Sequence, residues 1–186
     1  MSRQEIRLQG LGGQGIISAG YLIGSAVSLQ EHREAVMTED YSPYITGGWS
    51  RADLVISDEP IDYPLVTKPN ILVALSQDGF DDNLRMTTPD ATIVIEGSMV
   101  KADAALNGRK LFSVPALSVA EELGRRVVAN MVVLGFIAQK TKVVHCEALL
   151  AAIIKRYPKA TELNRRAFLR GVELASGTQR VLEVTQ

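Results

Sequence analysis

The chain has 186 residues, 46% of them hydrophobic, and a formal net charge of −1, which suits one α/β domain and leaves no basic field for nucleic acid. Its lone cysteine, Cys146, excludes an internal disulfide and an iron–sulfur cluster held by this chain's own thiolates, and His32 and His145 have no metal-ligand spacing. The opening Met1-Ser2-Arg3-Gln4-Glu5 has no apolar signal core, and the apolar stretch Val127 to Ala138, broken by Asn130, falls short of the ~20 residues that span a bilayer, so a cytoplasmic protein without membrane contact is expected.

Glu5-Ile6-Arg7-Leu8-Gln9 alternates polar and apolar residues, as a half-buried strand does, and runs into Gly10-Leu11-Gly12-Gly13-Gln14-Gly15. A helix is predicted next, since Ile16, Gly20, Ile23 and Val27 share one face. Gly20 and Gly24, one turn apart, let that helix lie close to a sheet. Strand, glycine turn and helix form the first half of a βαβ unit. Ala35 to Thr38 reads as a second strand. Asp40 to Ser50 (DYSPYITGGWS) is turn-rich through Pro43 and Gly47-Gly48, and Arg51 to Ser57 is the next strand, ended by Asp58-Glu59-Pro60. Asn70 to Ser76 and Ala91 to Glu96 are apolar runs suited to strands covered on both faces. Lys110 to Val114 is a shorter strand stopped by Pro115.

Helices dominate the last third. Ser118 is the predicted N-cap of a short helix through Glu121, Glu122 and Leu123, ending near Gly124. Val127 to Gln139 is apolar nearly all round and predicts a buried helix, while Glu147 to Tyr157 and Glu162 to Ala175 are amphipathic. Residues 1–186 are expected to form one domain, a three-layer α/β/α sandwich with a Rossmann-like, mostly parallel sheet and a helical C-terminal third.

Gly10, Gly12 and Gly15 have the G-x-G-x-x-G spacing of a dinucleotide fingerprint, in which glycines let the backbone approach an anion at a helix N-terminus. The fingerprint also expects an acidic residue about 20 residues further on, at the end of the second strand, to hold the ribose. Glu34 and Glu39 are the candidates, and neither follows a convincing apolar strand. No acid–base pair suited to hydride transfer stands out. Three readings of the turn stay open. It could be the site of a free-standing Rossmann-like nucleotide-binding protein, a tight turn packed against protein, or an anion or cofactor edge shared with another subunit.

Three separated segments narrow the choice. Gly10-Leu11-Gly12-Gly13-Gln14-Gly15 is similar to the GxGGQG opening of the γ subunit of 2-oxoacid:ferredoxin oxidoreductases. The stretch Tyr41 to Asp53 resembles that family's tyrosine–proline–glycine–glycine loop, with Val55-Ile56-Ser57-Asp58 closing the following strand. Val114-Pro115-Ala116, Ala120-Glu121-Glu122-Leu123-Gly124 and Asn130-Met131-Val132-Val133-Leu134-Gly135 resemble its C-terminal signature, so the likeness runs from about residue 5 to Gly171. The resemblance implies a non-autonomous γ subunit of an enzyme that oxidatively decarboxylates a 2-oxoacid, joins the acyl group to coenzyme A and passes electrons to ferredoxin or a similar acceptor. It implies no cofactor held by this chain alone. Thiamine diphosphate and iron–sulfur clusters would sit in the partner α and β subunits, with a ferredoxin-like δ subunit in some assemblies. Ile61-Asp62-Tyr63-Pro64 is similar to the 2-oxoglutarate-acting branch.

The candidate cofactor-binding or interface residues are Gly12, Gly13, Gln14 and Gly15 of the first loop and Gly47, Gly48, Ser50 and Arg51 of the second. No catalytic or metal-ligating residue is expected, and the isolated chain is expected to be inactive. Relatives of the resembling family often carry glutamate and arginine ahead of the paired glycines, where this chain has Tyr44 and Thr46, so no arginine role carries over and Arg51 is the nearby charge. Gln14 either meets a cofactor or partner or caps its own turn. Trp49 either displays an aromatic to a partner or folds onto the core. Asn130, inside an apolar helix, needs hydrogen-bond partners and either ties the helix to a neighbouring loop, the favoured reading, or reaches across a subunit boundary. Cys146 beside His145 is read as ordinary packing, since adjacent helical residues point apart.

Overall fold

The computed structural model describes residues 3–43, 48–102 and 106–177. Six strands form one sheet: β1 (Gln4–Leu11), β2 (Glu34–Tyr41), β3 (Trp49–Ser57), β4 (Ile71–Ala74), β5 (Thr92–Glu96) and β6 (Lys110–Val114), in the order β2-β3-β1-β4-β5-β6. Strands β1, β4, β5 and β6 run parallel, and β3 runs against both β1 and β2. The helices are α1 (Ile16–Gln30), α2 (Gln77–Leu84), α3 (Ala116–Glu122), α4 (Ala129–Thr141), α5 (Cys146–Arg156) and α6 (Thr161–Gly177), with a 3-10 turn at Arg126–Val128.

Alternation along each strand sorts the layers. Ile6, Leu8, Leu54, Val73 and Val94 face α1 and the C-terminal helices in the larger core, while Leu72, Ala74, Ile93 and Ile95 face Phe80 and Leu84 of α2. The result is the expected three-layer α/β/α sandwich with a mostly parallel sheet.

The structure corrects the sequence reading at four places. The unit opened by β1 and α1 is split, because β3 lies between β1 and β2. Within the stretch Asp40 to Ser50, strand β2 runs on through Tyr41 and β3 starts at Trp49, the two paired Tyr41 to Ser50, with residues 44–47 outside the described residues. Helix α2 was not foreseen; its polar sequence QDGFDDNL is nucleated by Ser76, whose hydroxyl accepts from the Gly79 N–H. Helix α3 begins at Ala116, so Ser118 lies inside it, and its free Leu117 N–H is capped from across the fold by Glu96 Oε1 at 3.1 Å.

The polar side of β1 does not face water. Arg7 makes a two-point ion pair with Asp53 (2.8 and 2.6 Å) and also donates to Asn83 Oδ1, while Asn83 donates to Gln9 Oε1 at 2.9 Å. All four side chains are buried. Such a network is tolerated because the buried charges are paired and hydrogen-bonded. No helix among the described residues is long and apolar enough to cross a membrane.

Candidate functional site

The site begins where β1 ends. Gly13 (φ 90°) and Gly15 (φ 76°) adopt the left-handed backbone that turns the chain into α1, a conformation side chains with a Cβ resist. Gln14 locks this turn. Its Oε1 accepts from the Leu11 N–H at 2.6 Å and its Nε2 donates to the Leu75 carbonyl at 2.9 Å. The Gln14 amide is therefore held by its own turn and by the end of β4.

The second loop is stitched to the first. The Gly12 N–H donates to the Gly48 carbonyl at 2.7 Å, and Gly10 and Leu11 pair with Ser50 and Trp49. Gly48 and Ser50 thus flank the glycine turn. Gly47, Tyr44 and Thr46 lie outside the described residues. Arg51 faces Asp40 at 2.7 Å with its guanidinium over the Trp49 ring, so its charge is engaged within the hairpin. Trp49 remains 39% exposed and does not fold onto the core.

This arrangement removes the geometry of a dinucleotide site. In that fold the second strand neighbours the first, so its terminal acid reaches the ribose. Here Glu34 and Glu39 are on the outer edge, with β3 between them and β1, two strand spacings of about 4.8 Å each from the glycine turn.

The third segment closes the site from the other side. A cleft of about 250 Å³ opens between Gly13 and Gln14, the end of β5 at Glu96, Leu117 of α3, and the Arg126–Asn130 stretch leading into α4. Gly15 has no room for a Cβ, which would collide with Asn130 Nδ2. Asn130 is therefore packed on the glycine turn, as a tie to a neighbouring loop would be. Its Oδ1, however, is buried and makes no hydrogen bond among the described residues. Leaving a buried acceptor unpaired costs on the order of 1–3 kcal/mol.

The electrostatics around Asn130 are mixed. Helices α1 and α4 both begin at the cleft, neither with a side-chain cap nor with an acidic residue in its first turn. The first N–H groups of α1 carry the partial positive charge that attracts anionic or carbonyl oxygens, whereas the 3-10 turn ahead of α4 already engages N–H groups there, the Ala129 N–H donating to the Arg126 carbonyl. Glu96 is buried, but its oxygens are spoken for: Oε2 accepts from Ser98 and Met99, and Oε1 from Leu117. Arg126, paired with Glu121 at 3.2 Å, and Val127, 71% exposed, form the lip. The cleft suits an extended ligand arm with both amide N–H and carbonyl groups and an apolar body. Glu96 and Arg126 escaped the sequence reading, since one looks like a strand end and the other like a surface charge.

Cys146 and His145 do not meet as a pair. His145 Nδ1 faces Glu31 at 3.0 Å, while Cys146 Sγ lies 3.7 Å from Gln139 Oε1. Burial, helped by Glu147 and opposed by Lys142, pushes the Cys146 thiol up, away from a reactive thiolate. Among the described residues no group of three histidine, cysteine or acidic side chains could hold a metal.

Comparison with known proteins gives concordant matches. Residues 5–174 match the family described as pyruvate ferredoxin/flavodoxin oxidoreductase. A 2-oxoglutarate synthase subunit KorC from Methanocaldococcus jannaschii is 41% identical over 176 residues, covering 93% of this chain and 94% of that one. The solved keto/oxoacid ferredoxin oxidoreductase γ subunit from Geobacter sulfurreducens superposes with a TM-score of 0.85 at 32% identity, over 95% of this chain and 98% of the other. A 2-oxoglutarate:ferredoxin oxidoreductase from Magnetococcus marinus, solved with 2-oxoglutarate, coenzyme A and succinyl-CoA bound, carries the same fold. Its TM-score is 0.87 at 21% identity, with 98% of this chain matching 32% of that longer one.

Proposed function

The chain belongs to the pyruvate ferredoxin/flavodoxin oxidoreductase family, and we propose that it works as the γ subunit of a 2-oxoglutarate:ferredoxin oxidoreductase, within a multi-subunit complex. The near full-length identity to a 2-oxoglutarate synthase subunit supports both the role and the substrate. The reaction takes a 2-oxoacid and coenzyme A to acyl-CoA and carbon dioxide, with electrons leaving for ferredoxin. Thiamine diphosphate and iron–sulfur clusters would supply the decarboxylation and electron-transfer chemistry. One cysteine cannot ligate a cluster, so those groups would belong to the α and β subunits, with a ferredoxin-like δ subunit where present.

For coenzyme A the residues of this chain do fit. The observation that carries the proposal is the unpaired, buried Asn130 Oδ1 in a cleft floored by the glycine turn. A pantetheine arm alternates amides with short apolar spacers. Asn130 would accept from an amide N–H, and the uncapped N–H groups of α1 would receive carbonyl oxygens. Gly12, Gly13 and Gly15 would keep side chains out of that approach, while Gln14 holds the turn's shape. Gly47, Gly48, Ser50 and Arg51 would form the adjoining interface with the thiamine-binding subunits, with exposed Trp49 as its anchor.

The test uses the complex purified through a tag on this chain. It is expected to bring thiamine- and iron–sulfur-containing subunits and to reduce a dye only when 2-oxoglutarate and coenzyme A are both supplied. Asn130→Leu is expected to raise the KM for coenzyme A roughly tenfold, the loss of about one hydrogen bond, with the KM for 2-oxoglutarate unchanged. Recovery of this chain alone with a bound nucleotide would overturn the assignment. An unchanged KM for coenzyme A would remove Asn130 from the site.

A further inference from the structure

Away from the cleft, the outer face of α1 is unusual for a helix that meets solvent. None of its fifteen residues is charged, yet Tyr21 is 55% and Leu29 60% exposed. Surface helices ordinarily present charged residues on that side. The two side chains form a ridge with a groove on each flank. One, of about 210 Å³, is bounded by Ala152, Lys155 and Arg156 of α5. The other, of about 290 Å³, runs past Gly24, Ser25 and Ser28 to Ala35 and Met37 of β2.

The charges flanking this neutral ridge have opposite signs. Lys155 and Arg156 stand exposed on the α5 rim, with Arg156 over the Tyr21 ring at 5.9 Å. Glu39, on the same face of β2 as Ala35 and Met37, stands exposed on the β2 rim. None of these three forms an ion pair among the described residues. At the far end of the α5 groove, His145 is taken by Glu31 and Glu147 is exposed.

We propose that this face binds a second copy of the chain, ridge into groove about a two-fold axis near Ser25. A two-fold contact brings the same patch to itself, so a surface with cations on one side and anions on the other satisfies both contacts at once. A partner of a single charge sign would meet one rim favourably and the other unfavourably. Pairing through the β2 edge is disfavoured, because antiparallel self-pairing would line up two strands that each carry Glu34, Glu39 and Asp40, with acids meeting acids. The helix face is the self-complementary surface, and the cleft at Asn130 is left free by it.

The test is sedimentation equilibrium of the full chain, with circular dichroism to verify each variant's fold. The natural chain is expected to dimerise, and Ser25→Arg, which plants a charge on the axis, is expected to leave it monomeric. Lys155→Glu with Arg156→Glu gives two acidic rims, and Glu39→Lys gives two basic ones. Each variant alone is expected to self-associate at least about tenfold more weakly, and an equimolar mixture of the two to recover association. A natural chain that is monomeric at every concentration overturns the proposal. So does a dimer indifferent to Ser25→Arg, or a mixture no better associated than its components.

Discussion

Helices α4 and α6 cross through a reciprocal glycine contact that gives a quantitative test of the packing. A Cβ on Gly135 would collide with the Phe168 carbonyl oxygen and lie 2.9 Å from its carbon. A Cβ on Gly171 would collide with the Val132 carbonyl oxygen and lie 2.9 Å from Phe136 N. In each case the obstacle is backbone, so one helix must retreat by roughly 1 Å to restore ordinary contact distances. The retreat would loosen Phe168, Phe136 and Val132, all fully buried. Overpacking costs about 1–3 kcal/mol and more when backbone must move, while replacing a helical glycine by alanine returns ~1 kcal/mol. Gly135→Ala and Gly171→Ala are each expected to destabilise the chain by about 2–3 kcal/mol net, lowering the melting temperature by roughly 4–12 °C at this size. Both substitutions press on the same crossing, so the first retreat makes room for the second, and the double variant is expected to lose at least about 1 kcal/mol less than the sum. Gly177→Ala, at the end of α6 with nothing within 4 Å, is the control and is expected to be neutral or slightly stabilising. Urea unfolding followed by circular dichroism reads all four. Full additivity, or single losses below about 0.5 kcal/mol, would refute the close crossing.

Glu5 gives a pH prediction. Burial disfavours its charge, but the Lys68 and Thr67 N–H groups and Arg3 outweigh that and hold the carboxyl below its ordinary value. A depressed folded value means the stabilisation is present above the ordinary carboxylate range near about 4.3 and lost as pH falls through the lower folded value. The gap in urea midpoint between the natural chain and Glu5→Gln is therefore expected at pH 7 and to close in acid; a gap independent of pH would count against it. Gly15→Ala, which imposes a Cβ on a left-handed residue and on Asn130, is expected to cost at least about 1–2 kcal/mol by the same assay, and a neutral result would mean the turn is not held as described. Cys146, its thiol pushed up by burial, is expected to react with iodoacetamide several-fold more slowly in the folded chain than in urea at a mildly alkaline pH; equal rates would place it in the open.

Much of the fold is written locally. The runs at Asn70–Ser76 and Ala91–Glu96 are too apolar for anything but strands covered on both faces, and they are β4 and β5. The helical tail follows from its periodicity. What escaped is what depends on a distant partner. Helix α2 carries Gly79 in its interior, and that glycine reads as a breaker until one sees Gln9 O of β1 sitting 3.2 Å from where its Cβ would be. Arg7 and Gln9 look like a solvent face because alternation reports polarity, and only Asp53 and Asn83, far along the chain, turn that polar side into a buried network. The strand order was recoverable in principle, since so short a connection between β2 and β3 favours antiparallel neighbours.

The candidate site divides along the same line. The glycine turn was visible because positive backbone angles demand glycine, and Asn130 because an amide is conspicuous in an apolar helix. Their adjacency was not visible, since 115 positions separate Gly15 from Asn130 and no local rule joins them. Contact between them explains the glycine: Gly15 must lack a Cβ so that Asn130 can pack there, and the unpaired Asn130 oxygen is what the proposed site would use. If the amide served only the fold, Asn130→Leu would leave a less stable chain and a complex with ordinary affinity for coenzyme A. If it serves the ligand, the same substitution leaves stability level or raised, because an unsatisfied buried acceptor has gone, while the KM for coenzyme A climbs. Stability and KM moving apart in one variant is the signature that separates a binding residue from a packing one at this position.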